Sequence, residues 1–272
     1  MQIGIFAKTF PGTEPLGVLS AVRDSGYACA QFNLACCGLP SMPDAVSEAT
    51  IAAVRSAVGT TGVSLAALSG TYNMAHPDTA VRRSGLAQLA VVIETASALS
   101  IPLVTLCTGT RDPNDQWAHH RDNGEPSAWA DMAAEMSKAL ELAERHSVDL
   151  GIEPEQANIV TSAADARQLI GEMGSRRLRI VLDPANLFEQ ATPAKAQAIV
   201  EEAVETSAGH IALAHAKDRY ADGRFVTAGQ GVVNFADFIA RLRSVNFDGP
   251  LVTHGLSASE APGVAGFLKA LI

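Results

Sequence analysis

Four side chains of the types that bind divalent metals follow four short apolar runs of this sequence. They are Glu153 after VDLGI, Asp183 in LDPANL, His215 in LAHAKDR and His254 in LVTHGL. Hard or borderline divalent cations take carboxylate oxygen and neutral imidazole nitrogen as ligands. A buried carboxylate is also costly unless it is paired or binds a cation. If the four runs are strands whose ends meet, the sequence predicts a metal site formed by these residues.

Each of the four also has a simpler interpretation when it is considered alone. Glu153 could form a salt bridge, Asp183 before Pro184 could form a turn, and either His215 or His254 could be a core histidine bonded to a backbone carbonyl. Four such coincidences at equivalent places in the chain explain the pattern less well than one metal ion does. We therefore expect Glu153, Asp183, His215 and His254 to be metal ligands.

The elements that must position these residues form roughly eight strand-then-helix units. Hydrophobic periodicity predicts strands at 2–6, 27–33, 63–68, 101–107, 148–152, 178–182, 211–214 and 251–253. The clearest helices are predicted at 48–58, 79–98, 163–173, 194–207, 235–245 and 262–271, and Ser127 is the expected N-cap of another.

This alternation predicts one domain, 1–272, with the α/β fold of a (β/α)8 TIM barrel. The alternative is a doubly wound open sheet. Its nucleotide-binding form would have a glycine fingerprint after the first strand, where this chain has FAKTFPGTE. In a barrel, the carboxyl ends of all strands meet on one face, where chemistry is expected.

Composition favours a compact protein with a small-molecule partner. Hydrophobic residues make up 47% of the 272 residues and charged residues 18%, and the net charge of -9 opposes binding to phosphate backbones or anionic lipids. We expect no nucleic-acid or membrane partner. The composition does not decide between a monomer and a homo-oligomer. The four cysteines form no CxxC pair, and neither a leader nor an apolar stretch of about 18 residues is apparent. A cytoplasmic location is expected.

Several of these motifs resemble those of the sugar phosphate isomerase/epimerase superfamily, the xylose isomerase-like TIM barrels. Glu153 after strand five, Asp183 in a DPAN turn and His215 in an HxKD motif resemble its first three metal ligands, and GQG at 229–231 resembles its loop before helix seven. The resemblance covers essentially the whole chain. It implies a divalent metal ion (Mn²⁺, Zn²⁺, Co²⁺ or Mg²⁺) and proton exchange between two carboxylates next to a carbonyl. It therefore predicts an isomerase or epimerase of a small sugar, keto-sugar or polyol derivative.

The chain departs from this family at the end of strand eight. The family's epimerases have a second Glu there, which serves as the opposing base, and this sequence has His254. Another residue must then complete the proton transfer, and Glu155, Lys217, His76 and Glu260 are the candidates. Our hypothesis is that Glu153 or Glu155 moves the proton while Lys217 holds an anionic group or a developing oxyanion.

Loops at the same face supply candidate substrate-binding residues. Asn73 and His76 follow strand three and Arg111 follows strand four, and with Lys217 they are predicted to bind substrate. Helix capping and solvated charge are the alternatives for these side chains. Two other functions stay open, namely a metal-dependent lyase or dehydratase acting on a keto-sugar derivative and a non-catalytic sugar-binding barrel. A phosphodiesterase acting on abasic DNA has the least support, because such an enzyme needs a basic groove.

Overall fold

Eight parallel strands close into a barrel, as predicted. The computed structural model describes all residues, 1–272. The barrel strands are β1 (Gln2–Phe6), β2 (Cys29–Phe32), β3 (Ser64–Ser69), β4 (Leu103–Leu106), β5 (Asp149–Ile152), β6 (Leu178–Leu182), β7 (Ile211–Ala216) and β10 (Pro250–Thr253). Around the barrel the order is β1-β10-β7-β6-β5-β4-β3-β2, so strands that are adjacent along the chain are adjacent in space. A short hairpin of β8 (Asp218–Arg219) and β9 (Phe225–Val226) follows β7 and was not predicted.

Eight helices surround the barrel and alternate with its strands. They are α1 (Pro15–Asp24), α2 (Glu48–Thr61), α3 (Thr79–Ala98), α4 (Pro126–His146), α5 (Ala163–Met173), α6 (Pro193–Thr206), α7 (Phe235–Ser244) and α8 (Ala261–Lys269). The prediction of Ser127 as the N-cap of α4 is wrong, because the helix begins at Pro126 with Glu125 as its N-cap. Proline fits this first position, since the backbone N–H that it lacks would have no partner there. None of the helices combines the length and apolar composition that crossing a bilayer requires.

The interior of the barrel is filled by side chains. Ala67, Leu103, Val181, Leu213 and Val252 form a separate buried cluster from five different strands. Gly151 is required beside this layer, because a Cβ atom there would lie 2.7 Å from Cγ2 of Val181. The barrel is therefore a packed core, and polar groups can gather only above it, at the carboxyl ends of the strands.

One buried carboxylate organises the loops that follow β7. Asp218 is fully buried, and its two oxygens accept hydrogen bonds from the backbone N–H groups of Arg219, Gly229, Gly231 and Val233. Gly231 approaches so closely that a Cβ atom there would lie 2.3 Å from Oδ1 of Asp218. This carboxylate ties the β8–β9 hairpin to the GQG loop and thereby fixes the rim of the barrel next to His215.

Candidate metal centre and active site

The structure brings Glu153, Asp183, His215 and His254 together at the carboxyl ends of four neighbouring strands. One ligand atom from each residue lies within 4.8 Å of the ligand atoms of the other three. His254 Nε2 is 3.0 Å from Asp183 Oδ2, and His215 Nδ1 is 3.3 Å from Glu153 Oε1. The two imidazole rings meet edge to face, with 4.4 Å between their centroids.

The local structure after β6 aims the Asp183 carboxylate at this cluster. Asp183 precedes a short 3-10 turn, Pro184–Asn186, and its Oδ1 accepts a hydrogen bond of 2.8 Å from the backbone N–H of Ala185. That bond leaves Oδ2 free to face the two histidines, which lie 3.0 and 3.6 Å from it. The DPAN sequence therefore forms a turn, which was the simpler interpretation of Asp183, and the same turn also orients Oδ2 of Asp183 towards the cluster.

Gln31 on β2 orients His215 from the opposite side of the barrel. Its Oε1 lies 2.9 Å from His215 Nε2, and its Nε2 donates to the hydroxyls of Ser69 and Thr105. Because Nε2 of the imidazole donates to an amide oxygen, Nδ1 faces the cluster and offers its lone pair whenever the ring is neutral. This residue was missed in the sequence, where the only indication is an amide in the buried strand CAQF.

Asn186 links the cluster to Lys217. Its Nδ2 donates to Glu153 Oε1 at 2.7 Å, and its Oδ1 accepts a hydrogen bond of 2.7 Å from Lys217 Nζ. The same ammonium lies 3.9 Å from Asp183 Oδ2 and 3.7 Å from the centroid of the Phe225 ring. Asn186 was also missed, although the DPAN motif contains it.

Charge and burial set the protonation states of the cluster. Burial opposes the charging of His215, but the carboxylates of Glu153 and Asp183 outweigh it and raise the pKa of this imidazole to about 9. Burial and the neighbouring charge of His215 lower the pKa of His254. Burial alone would raise the pKa of Asp183, but Lys217 and the two histidines hold it well below its usual range. Asp183 is therefore ionised and His254 neutral at pH 7.

These groups fit a divalent metal ion. Ligand distances of about 2.0 to 2.2 Å place ligand atoms roughly 3 to 4 Å apart around one cation. The spacings of 3.0, 3.3 and 3.6 Å within the cluster are of this size. The donor set of two carboxylates and two imidazoles suits Mn²⁺, Zn²⁺ and Co²⁺ in particular. The cluster could thus hold one ion, with Gln31 and Asn186 as its outer partners.

A cavity of about 420 Å³ opens above the cluster. We call it the mouth cavity, and it is lined by Glu153, Glu155, His215, Lys217, His254 and Asn186 below and by Trp117 and Phe225 at its rim, among others. Its volume falls in the range of small-molecule sites. Of the predicted catalytic residues, Glu153, Glu155 and Lys217 all border it.

Glu155 is the one carboxylate at the mouth cavity that lies outside the four-residue cluster. Burial and the charge of Glu153 raise the pKa of its carboxyl group to about 7, against an opposing effect of Lys217. The side chain accepts a hydrogen bond from Asn158. A carboxyl group that titrates near neutrality can both take and return a proton.

The other predicted substrate-binding residues do not line the mouth cavity. Asn73 and His76 border a second cavity of about 670 Å³. Arg111 pairs with Asp131 and donates to the carbonyl of Ala75. Glu260, a candidate base, lies outside the mouth cavity and bonds to Ser257 and Thr227. The geometry therefore supports Glu155 and Lys217 as the groups beside the cluster.

Comparison with family models identifies the chain. A model described as xylose isomerase-like TIM barrel matches residues 19–270. The chain belongs to this family, which confirms the resemblance seen in its motifs. No curated protein sequence matches it.

Solved structures with the same fold include several sugar epimerases. A 3-keto-D-glucoside 4-epimerase from E. coli superimposes with a TM-score of 0.78 at 17% identity, with 99% of each chain covered. A D-allulose 3-epimerase from Methylomonas sp. gives 0.77 at 14% identity, over 100% of this chain and 98% of that one. An L-ribulose 3-epimerase gives 0.76 at 18% identity, over 99% and 92%. At these identities the likeness establishes the fold.

Proposed function

We propose that this member of the xylose isomerase-like TIM barrel family is a divalent-metal-dependent isomerase or epimerase. Its substrate would be a small sugar, keto-sugar or polyol derivative, and the reaction would move a proton next to a carbonyl. The observation that carries the proposal is the cluster of Glu153, Asp183, His215 and His254 beneath a cavity bordered by Glu155. The sugar epimerases among the structural neighbours support a sugar as the substrate class.

Glu153, Asp183, His215 and His254 would hold Mn²⁺, Zn²⁺, Co²⁺ or Mg²⁺. When bound, such an ion supplies Lewis-acid polarisation of a substrate carbonyl or hydroxyl oxygen. Asn186 and Gln31 keep the Glu153 carboxylate and the His215 imidazole in place through their hydrogen bonds. These two amides therefore hold two of the metal ligands in position before any substrate binds.

Glu155 is the proposed acid and base in this mechanism. Since its pKa is about 7, a large fraction of the carboxyl groups is ionised at neutral pH and can take the proton beside the carbonyl. The resulting carboxylic acid can return that proton to the former carbonyl carbon, which gives the isomer, whereas an epimer forms only when a proton reaches the original carbon from the opposite face. Glu153 is less suited, because Asn186 and His215 both engage its Oε1.

Lys217 is proposed to stabilise negative charge that develops on the substrate oxygen. It borders the mouth cavity and is buried, and its hydrogen bond to Asn186 and its contact with Phe225 hold the ammonium in place. A fixed cation in a site shielded from water stabilises an oxyanion more strongly than it would in bulk solvent.

Exchange of solvent deuterium into the substrate tests this function. The enzyme with added Mn²⁺, Zn²⁺, Co²⁺ or Mg²⁺ would be incubated in D₂O with a panel of keto-sugars, and products would be followed by NMR. Deuterium is expected at a carbon next to the carbonyl, together with a stereoisomer or an aldose. Glu155→Gln should slow exchange by about 10² to 10⁴-fold. Measurable sugar binding without exchange under any metal condition would instead identify a non-catalytic sugar-binding barrel.

One observation favours a second candidate, a lyase or dehydratase. The mouth cavity has Glu155 as its single carboxylate beyond the metal cluster, whereas an epimerase with two opposed carboxylates needs another. Glu155 could remove the proton, and loss of a β-substituent would then replace reprotonation. The same NMR experiment separates the two reactions, because elimination yields an unsaturated or cleaved product.

A further inference from the structure

Trp117 stands between two adjoining cavities at the carboxyl end of the barrel. It lines the mouth cavity, and it also lines the second cavity of about 670 Å³, which we call the loop cavity. The loop cavity lies between α3 and the loop that follows β4, and it includes Tyr72, Asn73, His76, Ser84, Gln88 and Asn114. A molecule longer than one sugar ring could therefore extend from one cavity into the other past the indole.

The exposure of Trp117 is not explained by the fold. Its side chain is 49% exposed, and it belongs neither to the hydrophobic core nor to the set of residues packed against it. An exposed aromatic ring beside a cavity offers an apolar face to the carbon-bound hydrogens of a sugar and an indole N–H as a donor. This combination suits a carbohydrate and serves no evident structural purpose here.

The loop that carries Trp117 is held rigidly. Its backbone N–H donates to Asp115 at 2.9 Å, and the Asp112 carboxylate accepts from the backbone of Asn114 and Asp115 at 2.8 and 2.9 Å. His76 bonds to the carbonyl of Pro113 and Asn73 to that of Asp112, which ties the loop to the one that follows β3. The backbone that carries the indole is thus held at the boundary of the cavities before any ligand binds, which reduces the entropic cost of ordering the loop.

The chemistry of the loop cavity indicates what it would take. Its lining has hydroxyl and amide side chains, including Ser84, Asn114 and Gln116, which form no hydrogen bonds within the chain. It also has two carboxylates, Asp112 and Asp115, and neither lysine nor arginine. A phosphate or carboxylate would find no cation there, whereas sugar hydroxyls can bond to every one of these groups. The lining therefore favours an uncharged polyhydroxylated ligand.

We propose that the substrate is a glycoside whose second, uncharged sugar ring binds in the loop cavity while the reacting ring occupies the mouth cavity. Trp117 packs against the sugar at the junction. The inference rests on the proposed function, because the mouth cavity is taken as the reacting site. Asn73 and His76 border the ring that does not react and contribute by holding the loop through their hydrogen bonds to Asp112 and Pro113.

The test compares the binding of disaccharides with that of their component monosaccharides by calorimetry, using the full chain saturated with Zn²⁺. D-Fructose would be compared with lactulose and isomaltulose, and D-glucose with maltose and cellobiose, with fructose 6-phosphate as the anionic probe. At least one disaccharide is expected to bind about tenfold tighter than either component, the size expected for one well-placed aromatic contact. Because the loop cavity offers no lysine or arginine to a phosphate, any gain of fructose 6-phosphate over fructose must come from Lys8 or Lys217 at the mouth cavity and should survive a substitution that fills the loop cavity.

Two variants act on the loop cavity in opposite ways. Trp117→Ala removes the aromatic wall, and Ser84→Trp fills the cavity from an exposed position on α3. Both should abolish the disaccharide preference. Ser84→Trp should also leave monosaccharide affinity within about threefold, because Ser84 lies outside the mouth cavity, and this result shows that the variant is folded. Trp129→Ala is the matched control, because Trp129 is the other tryptophan of the chain and bonds to Glu172 on the outer helices.

The outcomes are separable from those that test the reaction. A lack of disaccharide preference in the wild type, or a preference that survives both Trp117→Ala and Ser84→Trp, would overturn the glycoside inference. A gain of fructose 6-phosphate over fructose that Ser84→Trp abolishes would do so as well. Deuterium exchange measured on the same samples judges the reaction itself. A disaccharide preference without deuterium exchange contradicts the proposed isomerase but not the glycoside site. Deuterium exchange without a disaccharide preference contradicts the glycoside site but not the proposed isomerase.

Discussion

The side-chain oxygen of Gln31 lies 2.9 Å from Nε2 of His215, although the two residues are 184 positions apart in the chain. The contact crosses the barrel from β2 to β7. Gln31 is itself held by Ser69 and Thr105 on the two strands after β2, so residues from three other strands fix the imidazole of His215. A metal ligand whose second nitrogen is held in this way loses little rotational freedom when it binds.

Removal of this outer partner should weaken metal binding without unfolding the protein. We expect Gln31→Ala to lower the affinity for Zn²⁺ by about 10 to 100-fold, because the His215 ring is then free to turn. Competition with a chelator of known affinity gives the constant. Gln230→Ala, at an exposed position, is the control and should bind as the wild type does. Equal affinity of Gln31→Ala and wild type would mean that the contact does not position the ligand.

Loss of a ligand should have a larger effect. Protein purified without chelator is expected to carry close to one divalent ion per chain. Asp183→Ala and His254→Ala should each lower the affinity for this ion by more than about 100-fold, which exceeds the effect expected for the outer partner Gln31. Elemental analysis measures the metal content. His119→Ala removes an exposed histidine and should keep full occupancy. Substoichiometric metal in wild type that added Mn²⁺, Zn²⁺ or Co²⁺ does not restore would contradict the metal site.

Much of this arrangement is predictable from sequence because a parallel barrel imposes a simple rule. A polar residue that ends an apolar run must lie at the carboxyl face, so Glu153, Asp183, His215 and His254 can be placed near one another before any coordinates exist. The strands and helices are predictable for the same reason, since each must present an apolar face to a neighbouring layer. Local sequence patterns are sufficient to predict these positions because the barrel geometry places the carboxyl ends of all its strands on one face.

Contacts between distant side chains were not predictable in this way. Gln31 lies within β2, so no strand end marks it, and its partner His215 is on the far side of the barrel. The β8–β9 hairpin depends on one carboxylate, Asp218, which bonds to backbone groups up to fifteen residues away. The division between the mouth and loop cavities likewise depends on where an irregular loop places Trp117. These features follow from three-dimensional packing and leave no periodic pattern in the sequence.

Metal affinity should rise with pH through the neutral range. The raised pKa of His215, about 9, means that the metal-free protein holds a proton there that the metal must displace. At pH 8 the lowered pKa values of His254 and Asp183 leave those groups without a proton to release. Binding should then release close to one proton, and affinity should rise about tenfold per pH unit until it levels off above the pKa of His215.

Calorimetry in buffers that differ in ionisation enthalpy measures this proton release. The number of protons released per bound ion should fall as the pH rises above the pKa of His215, because fewer of these imidazoles are then protonated. His254→Ala offers a useful comparison, because it removes a ligand that is already neutral and should leave the release per bound ion nearly unchanged. Binding at pH 8 with no proton release in any buffer would show that His215 is not the group displaced.

The stability of the rim should depend on Asp218. Asp218→Ala removes the acceptor of four backbone N–H groups in and around the hairpin and GQG loop, and we expect it to lower the free energy of unfolding by about 3 kcal/mol or more. Urea denaturation followed by circular dichroism gives the value. Asp222→Ala removes an exposed carboxylate from the turn of the same hairpin and should change stability little. Similar effects of the two substitutions would contradict the organising role of Asp218.

The pH dependence of proton exchange identifies the base. Burial and the charge of Glu153 raise the pKa of Glu155 to about 7, so the ionised form that accepts a proton is lost as pH falls through that value. The rate of deuterium exchange should therefore rise with pH and level off. A bound cation neutralises part of the charge on Glu153, which places the midpoint at or below about 7. Glu155→Gln should lower the rate by about 10² to 10⁴-fold and abolish this pH dependence, with metal content unchanged.

Glu260→Gln is the matched control, because Glu260 lies outside the mouth cavity and bonds to Ser257 and Thr227. If instead Glu260→Gln lost the activity and Glu155→Gln retained it, the base would have to be sought outside the mouth cavity.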